Sequence, residues 1–209
     1  MDPCGPRCPG WNGVRVMTEP LRVLAIGGST RPDSSSERAV RAAARGAQQH
    51  GAEVRFIVGR DLMVPIYDTE TGERAELAQQ LVDSYRWADG LIVASPGYHG
   101  GISGMIKNAL DYIEDLRDHD RVYLDGMAVG CIAVSYGWQA TVSTLHQLRQ
   151  VAHAVRGWPT PLGASINASV TKLDHEGRSD DDKAVAQLEA VGAQVAEFAR
   201  MRQAFHRVG

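Results

Sequence analysis

The stretch LRVLAIGGSTRPDSSSERAV, residues 21–40, decides the fold. It opens on the apolar run Val23-Leu24-Ala25-Ile26 and passes through Gly27-Gly28-Ser29-Thr30-Arg31-Pro32. It then shows a helix start at Ser34-Ser35-Ser36-Glu37. A buried strand, a glycine turn and a capped helix in that order bring several backbone N–H groups and the positive end of a helix dipole around one small volume, which favours a phosphate. Ser29, Thr30, Ser34, Ser35 and Ser36 add hydroxyl donors, and Arg31 adds a planar fork able to grip a phosphate through two parallel hydrogen bonds. Pro32 disfavours helical backbone at Arg31, so the chain is expected to stay extended there. Ser34 and Glu37 also read as a capping box. That box accounts for Ser34 but not for Ser29, Arg31 or the glycine pair.

The spacing excludes the common nucleotide loops. No Gly-Lys-Ser/Thr closes the turn as Walker A requires, and Gly27-Gly28 does not extend to G-x-G-x-x-G. A terminal monophosphate such as that of FMN suits a short hydroxyl-lined loop better. At 209 residues and net charge −3, the chain is expected to form one α/β domain over residues 19–209 without disulfides or metals. No basic stripe with interleaved aromatics supports nucleic-acid binding. No apolar run reaches membrane-spanning length and no signal-peptide layout appears, so a cytoplasmic location is expected. Residues 1–18, dense in Gly, Pro and Arg, read as a disordered leader. Met17 just before the first strand is a natural translation start. Cys4 and Cys8 lack C-x-x-C spacing, and Cys131 reads as packing.

Further along, the periodicity predicts helices over about Ser35–His50, Glu73–Trp87, Ser103–Leu116 and Ala140–Val155, with a last one after Asp182. Strands are predicted at Glu53–Val58, Leu91–Ala94, Met127–Val134 and within Thr160–Asn167, the last at an edge because of Pro159 and Pro161. Together with the first strand these give a flavodoxin-like α/β three-layer sandwich, a five-stranded parallel sheet in the order 2-1-3-4-5. Ligands of such sheets lie beyond the carboxyl ends of the strands. There the loops Gly28–Ser36, Ser95–Gly101 and Ser135–Trp138 are expected to meet.

A flat heteroaromatic ring needs close backbone and donors along its polar edge. Pro96, Gly97, Gly100 and Gly101 permit the approach, and Tyr98 can pack beside the ring. Ser135, Tyr136 and Gly137 can complete the floor. Two readings stand for His99: a group that orients substrate or tunes the ring, or a polar loop residue facing solvent or a neighbouring subunit. Two also stand for Trp138: part of the site, or a packing residue on the next helix. No nucleophile–base pair, metal-ligand cluster or paired carboxylate appears in these loops, as fits a cofactor that carries the chemistry itself.

With those residues in view, the chain resembles the NADPH-dependent FMN reductase family, which includes chromate, quinone and azo reductases. The matching text is Gly28-Ser29-Thr30-Arg31 with the following serines, Ser95-Pro96-x-Tyr98-His99-Gly100, and Gly104-Met105-Ile106-Lys107-Asn108-Ala109-Leu110-Asp111. The resemblance implies that Ser29, Arg31, Ser34 and Ser36 hold the FMN phosphate and that Pro96–Gly100 runs along the isoalloxazine. It implies NADPH or NADH as hydride donor and free flavin, a quinone or another small organic molecule as acceptor. It also implies a homodimer or homotetramer in which the helix bearing Lys107, Asn108 and Asp111 takes part. Many relatives carry Glu where this chain has Gly97, and a Gly-Gly-rich third loop where it has Tyr136-Gly137-Trp138-Gln139. A flavodoxin-type carrier working with a protein partner is the alternative, and the near-neutral charge counts against it.

Overall fold

A computed structural model describes residues 20–206, so the expected leader and its Met17 start lie outside the described residues. Five helices flank seven strands: α1 (Ser35–Gln49), α2 (Glu76–Trp87), α3 (Gly104–Asp111), α4 (Trp138–Ala154) and α5 (Asp182–His206). The strands are β1 (Leu21–Gly27), β2 (Ala52–Val58), β3 (Gly90–Tyr98), β4 (Gly101–Ile102), β5 (Ala128–Ser135), β6 (Trp158–Pro159) and β7 (Ala164–Asn167). The main sheet runs β2-β1-β3-β5, with β6 and β7 both paired to the outer edge of β5. All of these pairings are parallel. The expected order 2-1-3-4-5 holds, with β5 in fourth place and β6 and β7 sharing the fifth.

The apolar runs in β1, β3 and β5 do not alternate with polar residues because the sheet is covered on both faces. Along β1, Val23 and Ala25 pack with Val40, Ala43, Leu188 and Val191 under α1 and α5. Leu24 and Ile26 pack the other way, with Leu81, Tyr85, Ile106 and Leu148 of α2, α3 and α4. Each fully buried Leu or Ile of this kind contributes about 1.5–3 kcal/mol. Cys131 belongs to the second layer, and burial pushes its thiol up to about 12, as a packing residue would show.

Several boundaries differ from expectation for identifiable reasons. The fifth strand is split because Pro159, Pro161 and Gly163 interrupt it. Pairing resumes only at Ala164 opposite Ile132. β3 continues past Ala94 to Tyr98, first against β5 and then in an antiparallel hairpin with β4. The expected second loop is therefore mostly strand. α2 begins at Glu76, three residues late, because Arg74 is drawn away to Asp115. α3 tightens into a 3₁₀ turn at Tyr112–Leu116. α4 begins at Trp138, so Trp138 opens a helix.

Candidate active site

β1 ends in Gly27-Gly28. Gly28 has φ +121°, and a Cβ there would lie 2.8 Å from the Gly59 backbone N, so this turn admits only glycine. The chain then reverses through Ser29–Asp33 into α1. The buried Ser29 hydroxyl accepts the Arg31 N–H at 3.2 Å. Ser34 caps α1, its hydroxyl accepting the Glu37 N–H at 3.3 Å and lying 3.2 Å from the Ser36 hydroxyl. The box with Glu37 is half made, since the Glu37 carboxylate pairs with Arg41 at 2.7 Å instead of reaching back.

The second wall is the β3–β4 hairpin. Pro96 is the last β3 residue paired to β5, and Gly97 and Tyr98 pair with Ile102 and Gly101. The turn uses left-handed backbone at His99 (φ +52°) and Gly100 (φ +83°). Gln147 of α4 clamps it, accepting the Ile102 N–H and donating to the Gly100 carbonyl, each at 3.2 Å. A Cβ on Gly97 would sit 2.8 Å from Thr144 Oγ1 and 3.2 Å from Ser135 Cβ. Glycine there lets the hairpin press onto α4, and a larger residue would force the two apart. The third wall is the end of β5, where the Ser135 hydroxyl donates to the Gly137 carbonyl at 2.9 Å.

The three segments meet in one cavity of about 210 Å³ at the carboxyl ends of β1, β3 and β5. Of the residues expected to bind, Ser29, Arg31, Ser34, Ser35, Ser36, Pro96, Gly97, Tyr98, Ser135 and Tyr136 line it. Thr30, His99, Gly100 and Gly137 do not. Thr30 is exposed on the outer side of the loop, His99 and Gly100 form the hairpin turn, and Gly137 is the N-cap of α4. Trp138 also lies off the wall, although it is exposed, as are Tyr98 and Tyr136.

Asp33, Arg38, Val134 and Ala168 line the cavity without having been expected there. Arg38 stands one helical turn after Ser34, a spacing that puts both on one face and was readable. Ala168 arrives only through the pairing of β7 with β5, which no local pattern announces. Arg38 donates to the Leu173 carbonyl at 2.6 Å and to the Asp33 carboxylate at 2.5 Å. The Arg38 hydrogen bond holds the Asp33 carboxyl below the usual carboxylate value. No described residue accepts a hydrogen bond from the Arg31 guanidinium. Serine hydroxyls, a free guanidinium and a helix N-terminus on one wall form a donor set suited to a phosphate monoester. The Pro96–Tyr98 strand, with Tyr98 and Tyr136 exposed on the same cavity, suits a flat ring.

A model of the NADPH-dependent FMN reductase family matches residues 21–171. The chain belongs to that family. It is 29% identical over 166 residues to the NADPH-dependent FMN reductase ArsH of Shigella flexneri, a match covering 79% of this chain and 64% of that protein. The chain thus spans under two-thirds of that relative's length. It is 26% identical to the NAD(P)H-dependent FMN reductase PA1204 of Pseudomonas aeruginosa, covering 80% of this chain and 89% of the relative. The fold superposes on FerB, a flavoenzyme NAD(P)H:(acceptor) oxidoreductase from Paracoccus denitrificans, with a TM-score of 0.71 and 20% identity over 87% of this chain and 98% of that one. Among the described residues no helix is long and apolar enough to cross a membrane.

Proposed function

We infer that this chain is an NAD(P)H-dependent FMN reductase that passes hydride to a small organic acceptor. The observation that carries the reading is the free Arg31 fork facing a serine-lined cavity, with the Pro96–Tyr98 strand edge and Tyr136 on its other walls. Ser29, Arg31 and Ser34–Ser36 would hold the phosphate of FMN, and the backbone of Pro96–Tyr98 with Ser135 and Tyr136 would border its ring. When bound, FMN supplies a ring that takes hydride from a nicotinamide and gives it to an oxidised acceptor.

The chain's own residues bind, align and shape access. Gln147 fixes the hairpin that carries Tyr98 against α4. Exposed Tyr98 and Tyr136 give the cavity flat apolar faces, which suit a nicotinamide, a second flavin or a quinone. No acid or base is needed on the protein for the hydride step.

We also infer a homo-oligomer. The segment before α2 is bolted to α3: Asn108 accepts the Tyr67 N–H at 2.8 Å and donates to the Pro65 carbonyl at 2.9 Å, and the Tyr112 hydroxyl donates to the same carbonyl at 3.0 Å. That frame holds Ile66 out at 87% exposure beside exposed Met63, apolar surface that a second copy would cover. Steady-state oxidation of NADPH with FMN, run over flavin, quinone and azo acceptors, tests the reading. Turnover that requires FMN is expected; protein that neither binds FMN nor oxidises NADPH with it overturns it.

A further inference from the structure

Two guanidinium groups stand on the cavity wall, and they are not equivalent. Arg38 has both ends of its fork engaged by the protein, one by the Leu173 carbonyl and one by the Asp33 carboxylate. Its remaining nitrogen, Nε, is buried without a partner. Arg31 alone presents an unengaged fork among the described residues lining the cavity. Asp33 lies on the same wall, between Arg31 and the cap of α1, in left-handed backbone with φ +51°. A carboxylate is an unusual lining for a volume built to take an anion. Two cations and one anion leave a single net positive charge, facing a phosphate monoester that carries about −1.5 to −2 at neutral pH. A carboxylate on this wall opposes a bound dianion, and it engages one nitrogen of the neighbouring Arg38 fork.

We propose that Asp33 weakens the phosphate grip of this loop, so that FMN enters and leaves during turnover as an exchanging substrate instead of remaining as a resident group. The proposal rests on the FMN reading given above and identifies free flavin as what the site takes up and releases. Arg38 does not depend on Asp33 for its place, since the Leu173 carbonyl holds it independently. Removing the carboxylate charge is therefore expected to strengthen binding and not to scatter the site. If Asp33 instead served to orient Arg38 for the phosphate, the same change would weaken binding.

The test is FMN binding to the whole chain and to Asp33→Asn, followed by flavin fluorescence, with riboflavin, which lacks the phosphate, as paired ligand. Asn tolerates left-handed backbone and keeps a hydrogen-bond acceptor for Arg38. Asp33→Gly, also at ease with positive φ, removes the carboxylate by a second route. Both variants are expected to bind FMN about tenfold more tightly, to release it correspondingly more slowly, and to bind riboflavin as the native chain does. FMN affinity that is unchanged or reduced in both variants, while the native chain still prefers FMN to riboflavin, overturns this inference alone. A native chain that binds neither flavin overturns it together with the reading beneath it.

Discussion

The Gly28–Ser36 loop and the segment preceding α2 are built from similar residues, yet their arginines have opposite hydrogen-bonding fates. In the second region Arg74 makes a bidentate pair with Asp115 at 2.7 and 2.8 Å, donates to the Asp68 carbonyl at 3.0 Å, and stacks over the Tyr67 and Tyr112 rings. The Tyr67 hydroxyl donates to the same carboxylate at 3.0 Å, and burial pushes its pKa up to about 12. In the first region the Arg31 guanidinium donates to no described residue, and Ser29, Ser34, Ser35 and Ser36 line a cavity. An arginine among hydroxyls and carboxylates does not by itself mark a site. A strut has its donors satisfied within the chain, while a site leaves them for something else.

If this contrast is right, mutations in the two regions dissociate. Arg74→Ala strands the largely buried Asp115 carboxylate and should lower unfolding free energy by about 3 kcal/mol in denaturant titrations, leaving FMN affinity of the folded protein unchanged. Arg31→Ala should do the reverse. FMN affinity should fall about 30-fold, or about 2 kcal/mol, with riboflavin affinity and melting temperature unmoved. Ser34→Ala blurs the contrast, because Ser34 both caps α1 and lines the cavity. It should cost about 1 kcal/mol of stability and also weaken FMN. The smallest effect is on pH dependence. The Arg74 hydrogen bonds hold Asp115 below the ordinary aspartate value of 3.8, so its stabilisation is present above that value and is lost as pH falls through the lower folded one. Acid titration of stability should show that limb in the native chain and a shallower one in Arg74→Ala, whereas Arg31→Ala should leave it unchanged.

Much of the fold was legible because its signals are local. The buried strands, the Ser34 cap and Gly51 at the end of α1, with φ +78°, follow from residues within a few positions of one another. What was not legible depends on partners distant in sequence. Gly97-Tyr98-His99-Gly100-Gly101 has no strand-like alternation, and becomes a hairpin because Gln147, 45 positions from Ile102, supplies the hydrogen bonds that hold it. His99 adopts left-handed backbone, uncommon for non-glycine residues as a class, so turn chemistry did not announce it. Arg38 was not singled out, although its place one turn after Ser34 was readable; its tie to Leu173, 135 positions away, was not. Residues drawn from the loop ends of β1, β3 and β5 were readable as one site once the parallel order was known. Ala168, which follows β7, was not.

The most direct measurement is the affinity of the purified chain for FMN and for riboflavin, repeated with Arg31→Ala. A preference for FMN of at least about tenfold that disappears in the variant is the predicted result. Equal affinity for the two flavins in the native chain, or an undiminished preference for FMN without Arg31, would contradict the assignment of this cavity to the phosphate.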